Sequence, residues 1–115
     1  MAALHIRLLG GFEILHGSGE AVSLSGRKTQ ALLAYLALPP GEPRAREKLT
    51  ALLWSDRGEE QARSSLRQAL SELRKALGDA DPQPLIAGRD AVSLDADAVD
   101  VDAVAFERLI GEATP

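Results

Sequence analysis

The chain has 115 residues, 45% hydrophobic but only 3% aromatic, which suits one domain with a core of Leu, Ala and Val. It contains no cysteine, which excludes disulfides and thiolate metal sites and fits a reducing, cytoplasmic setting. The net charge of −4 is unevenly spread: residues 1–26 carry −1, residues 27–75 carry +4 and residues 76–115 carry −7. The basic middle can face phosphate even though the whole chain is acidic, and ordinary surface charge is the alternative reading. The first apolar run is too short for a signal peptide, and no apolar stretch reaches the ~18 residues of a membrane span.

In chain order, Leu4-His5-Ile6-Arg7-Leu8 alternates apolar and polar residues, the period of a half-buried strand. Gly10-Gly11 breaks it, Phe12 to Leu15 resumes a strand, and Ala21 to Leu24 reads as a third strand of an antiparallel meander. Ser25 has the chemistry of a helix cap, and Arg27 to Leu38 follows a helical period that ends at Pro39-Pro40-Gly41. Glu42 to Ala45 reads as a linker or a very short strand. A second helix is predicted over Arg46 to Trp54, with Leu49, Leu52, Leu53 and Trp54 on its buried side. The longest helix runs from about Glu59 to Leu77, stopped by Gly78.

Beyond it, Leu85-Ile86 and Ala91 to Leu94 form two strands joined by a tight turn at Gly88-Arg89-Asp90. Val101 to Ile110 reads as a short amphipathic helix. Two helices linked by a turn and followed by a hairpin describe a winged helix-turn-helix. The predicted fold is therefore α+β: an N-terminal antiparallel sheet, a three-helix core and a C-terminal β-hairpin wing.

At about 100° per residue, the longest helix places Ala62, Leu66, Ala69, Leu70, Leu73, Ala76 and Leu77 on one face. The opposite face holds Glu60, Ser64, Arg67, Ser71 and Lys75, flanked by Arg63 and Arg74 on one side and Gln68 on the other. Arg can pair with guanine O6 and N7, Gln with adenine N6 and N7, and Ser with either a base or a phosphate. Arg63, Ser64, Arg67, Gln68 and Ser71 are therefore candidates to read bases. The same residues also suit a solvated face with i,i+4 ion pairs.

Other cations would position the protein rather than specify a sequence. Arg27 and Lys28 open the first helix, Arg44, Arg46 and Lys48 surround the start of the second, and Arg74 and Lys75 close the third. All seven are phosphate candidates, although Lys28 and Lys48 can instead cover apolar surface with their stems. Arg89 sits where a wing tip would reach a phosphate or the minor groove.

Motifs of other chemistries fail on spacing. Gly26-Arg27-Lys28-Thr29 has Arg27 between Gly and Lys and no Gly five residues before Gly26, so it is not a phosphate-binding loop. Counted from Asp95, a calcium loop would need Gly and Glu where Asp100 and Phe106 stand. His5 and His16 share no ligand spacing, and no nucleophile–base set converges. No enzyme activity, cofactor, metal or small-molecule substrate is expected.

Four blocks carry a family resemblance: Leu9-Gly10-Gly11-Phe12-Glu13; Gly26-Arg27-Lys28-Thr29-Gln30 through Ala37; Arg46-Glu47-Lys48-Leu49 with Leu53-Trp54; and Ala62-Arg63-Ser64-Ser65-Leu66-Arg67-Gln68 through Arg74. Together they resemble the N-terminal DNA-binding domain of the Streptomyces antibiotic regulatory protein family, related to AfsR, DnrI and RedD. The resemblance implies an OmpR-type winged helix over residues 1–98, with helix 59–77 in the major groove and the hairpin wing on the flanking minor groove. It also implies that residues 99–115 begin a helical-repeat activation domain. Double-stranded promoter repeats would be the DNA partner, bound by a possible dimer that recruits RNA polymerase. The competing expectation is a protein-interaction module on the same fold that has lost DNA contact.

Overall fold

The computed structural model describes residues 4–7, 13–24, 26–78 and 83–102. In chain order the elements are β1 (Leu4–Arg7), β2 (Glu13–His16), α1 (Arg27–Leu36), β3 (Arg44–Ala45), α2 (Arg46–Leu53), α3 (Glu59–Ala76), β4 (Leu85–Ala87), β5 (Ala91–Leu94) and β6 (Val99–Val101). The strands form two small sheets, with strand orders β2-β1-β6 and β3-β5-β4, and the three helices pack on one another. This is the α+β winged-helix arrangement that the sequence predicts.

The first sheet differs from the predicted meander. β1 and β2 pair antiparallel, with Ile6 opposite Ile14, but the third strand is β6, parallel to β1 with Leu4 opposite Val99. The residues predicted as a third strand, Ala21 to Leu24, form no strand and join β2 through a bridge from Ala21 to Leu15 and a bond from the Val22 amide to the Ile14 carbonyl. Val101, predicted to open a helix, is buried in β6, which begins directly after residue 98. The rest of that predicted helix, residues 103–110, lies outside the described residues.

Leu4, Ile6, Ile14, Val99 and Val101 bury one face of the sheet against Leu32, Leu33 and Leu36 of α1 and Leu66 and Leu73 of α3, all in one apolar cluster. Removal of this area from water is the main favourable term, at about 25 cal/mol per Å². The α2 prediction fails at one position. Leu49 and Trp54 are buried and Leu53 partly so, whereas Leu52 is 54% exposed. Three consecutive helical residues span about 200° of arc, so Leu52, Leu53 and Trp54 cannot all face inward.

Caps also differ from expectation. Gly26 caps α1 without a side-chain bond, and Ser25 lies outside the described residues. Gly78 follows α3 without the left-handed conformation expected of a glycine stop, but a Cβ there would stand 3.2 Å from the Lys75 carbonyl oxygen. At Gly41, φ is +90°, and a Cβ would meet Ala96 at 3.0 Å, so the turn after α1 closes tightly on the β5–β6 turn.

Candidate nucleic-acid interface

The outer face of α3 follows from its sequence period. With Ala62, Leu66, Ala69, Leu70 and Leu73 turned into the core, the chain exposes Arg63, Ser64, Arg67, Gln68, Ser71, Arg74 and Lys75. Glu59 and Glu60 lie in the first turn and Arg74 and Lys75 in the last, which complements the helix dipole at both ends. Arg63 donates to the Glu59 carboxylate one turn earlier, an exposed i,i+4 pair that needs no DNA. Arg67, Gln68, Ser71, Arg74 and Lys75 make no side-chain hydrogen bond or ion pair with the described residues.

A groove of about 860 Å³ runs between α2, the first half of α3 and the tip of the β4–β5 hairpin. Five arginines from four elements line it: Arg46, Arg57, Arg63, Arg67 and Arg89, against Glu47, Glu59 and Asp90. The hairpin is fixed to the start of α2 at two points. The Arg46 amide donates to the Asp90 carbonyl at 2.9 Å, and Arg46 Nε donates to the Gly88 carbonyl at 3.0 Å. Arg89 is thereby held, exposed, on the same concavity as Arg63 and Arg67. The first amide of α2 is occupied by this contact, which removes it from the set available to a phosphate.

The other predicted cations divide. Arg27 and Lys48 are exposed, with no side-chain partner among the described residues. Arg44 is turned inward: its side chain is 18% exposed, its guanidinium carbon lies 4.6 Å from the Tyr35 ring centroid, and it donates to the Leu38 carbonyl at 2.7 Å. Its Nε is buried without a partner. Lys28 is also committed within the fold, to the Leu53 carbonyl, with Asp56 Oδ1 at 3.9 Å and the Trp54 ring centroid at 5.8 Å.

Arg57 was not among the expected site residues. It stands in the turn between α2 and α3 and donates to Ser65 Oγ at 2.6 Å. A lone Arg between Asp56 and Gly58 carries no periodic signal, so only the turn's geometry reveals that it faces the groove. Of the acidic residues near the end, Asp95 serves the backbone: its Oδ1 accepts from the Asp97 amide at 3.0 Å.

Comparison with known proteins places the chain in a family. Residues 19–90 match the family model described as transcriptional regulatory protein, C terminal. The chain is similar to a cholera toxin homolog transcriptional activator of Vibrio parahaemolyticus, 39% identical over 67 residues, covering 58% of this chain and 23% of that protein. Among solved structures it resembles Mycobacterium tuberculosis EmbR, determined in complex with a low affinity phosphopeptide. That match has a TM-score of 0.70 and 28% identity, over 83% of this chain and 26% of that one. The chain thus spans about a quarter of the length of each of these proteins. No helix among the described residues is long and apolar enough to cross a membrane. The chain belongs to the family of transcriptional regulatory protein C-terminal domains, and is an OmpR-type winged-helix DNA-binding domain of transcription regulation rather than an enzyme.

Proposed function

We propose that this domain reads promoter DNA with α3 in the major groove, within an activator that helps recruit RNA polymerase and binds repeats as a dimer. The observation that carries the reading is the division of α3: leucines buried on one face, Arg67, Gln68 and Ser71 exposed and unpartnered among the described residues on the other. Arg63, Ser64, Arg67, Gln68 and Ser71 read base edges. Arg27, Arg46, Lys48, Arg57, Arg74 and Lys75 contact phosphates, and Arg89 holds the backbone or minor groove beside the wing. The activator role is supported by the printed description of the Vibrio relative. Residues after β6 begin the helical-repeat activation domain suggested by sequence resemblance, and the protein works in the bacterial cytoplasm, where the DNA is.

The test is equilibrium binding to a promoter duplex over a range of salt. A domain that neutralises several phosphates loses affinity linearly on a log–log plot, with a slope of about −0.9 per contact. A slope near zero, with retained binding to a protein partner, identifies an interaction module instead.

A further inference from the structure

Two neighbouring residues in the first turn of α1 reach toward the two ends of α3. Thr29 is 4% exposed, and its hydroxyl donates to Glu72 Oε2, in the second half of α3, at 3.1 Å. Lys28 goes the other way, into the turn that leads into α3. Its ammonium donates to the Leu53 carbonyl, approaches Asp56 and lies over the Trp54 ring. That turn is in turn fastened to α3. The Arg57 amide donates to the Trp54 carbonyl at 3.1 Å, and the Arg57 guanidinium donates to Ser65 Oγ.

Each contact has a physical reason to persist. A buried hydroxyl without a partner is destabilising, which holds Thr29 on Glu72. A cation at the C-terminal end of α2 meets unsatisfied carbonyls and the negative end of the helix dipole. The ring face of Trp54 adds a further attraction. Lys28 would have to abandon all three partners to reach a phosphate.

We propose that Lys28 and Thr29 form a two-point brace that sets the orientation of α3 on DNA, as positioning residues and not as DNA ligands. The inference rests on the reading of α3 as the DNA-facing helix. Base-edge contacts require α3 at a fixed angle, whereas phosphate contacts position the protein without reading sequence. Loosening the brace therefore lowers preference for the cognate site more than affinity for DNA in general.

The experiment compares Lys28→Met, Thr29→Val and Thr29→Ser with wild type. Each is titrated with a selected cognate duplex and a scrambled duplex across salt, and the emission of Trp54, the only tryptophan, is recorded. Lys28→Met should shift Trp54 emission and lower cognate preference about tenfold, the size of one mismatched base pair, with the salt slope unchanged. Thr29→Val should lower the preference and Thr29→Ser should restore it. Should Thr29→Val fail to fold, the exposed Lys28→Met and the conservative Thr29→Ser still decide. A salt slope shallower by about 0.9 in Lys28→Met, with Trp54 emission unchanged, makes Lys28 a phosphate ligand and overturns the brace. Wild-type preference retained in Lys28→Met and Thr29→Val overturns it as well. A wild type without cognate preference instead overturns the reading of α3, and the brace's role with it.

Discussion

His5 Nδ1 and Asp100 Oδ2 lie 3.2 Å apart, paired in register across the parallel strands β1 and β6 although 95 residues separate them in the chain. Both side chains are substantially exposed, at 38% and 71%, so the contact itself adds little. What it marks is the strand beneath it, where Val99 and Val101 are each 7% exposed. Ending the chain at residue 98 should cost about 3–6 kcal/mol, the loss of two buried valines at about 1.5–3 kcal/mol each. Thermal unfolding of chains ending at 98 and at 102 checks this, and equal midpoints would show that β6 is dispensable. Asp100→Ala should change stability by less than about 1 kcal/mol.

Leu66 and Leu52 make a matched pair of tests for the helix phases. Leu66 is 1% exposed at the centre of the apolar cluster, so Leu66→Ala should destabilise by about 2–5 kcal/mol. Leu52 is 54% exposed, and Leu52→Ala should stay within about 0.5 kcal/mol of wild type. Denaturant titration reads both, and a reversed order would place the helices in the wrong rotation.

Arg44 and Arg89 should separate stability from DNA contact. Arg44 stacks on Tyr35 and donates to the Leu38 carbonyl, so Arg44→Ala should lower stability and leave the salt slope of binding unchanged. Arg89, exposed at the hairpin tip, should behave oppositely: Arg89→Ala makes the slope shallower by about 0.9 and leaves the unfolding midpoint alone. An Arg44→Ala protein with wild-type stability and a shallower slope would return Arg44 to the interface.

The difference between these two arginines shows where the sequence is readable. α3 is legible because its five buried residues repeat at the helical period from Ala62 to Leu73, so its exposed face follows by subtraction. β6 is not, because Val99-Asp100-Val101 is too short for a period to register and its partner is at the other end of the chain. Nor is the direction of a long cation: Arg44 and Lys28 fold back because Tyr35 and Trp54 stand beside them in space, a fact no local window contains. The partner of Thr29 is hidden for the same reason, since Glu72 reaches it from α3, 43 positions along the chain.

Selection of binding sites from random duplexes, run in parallel with wild type and Arg67→Ala, measures most directly whether the exposed face of α3 reads DNA. The wild type should enrich one motif, and Arg67→Ala should lose preference at one position within it while binding about 1–3 kcal/mol more weakly, as for an arginine paired with guanine. An identical motif enriched to the same degree by both proteins would mean that Arg67 points at no base, and that the outward face of α3 is not the reading surface.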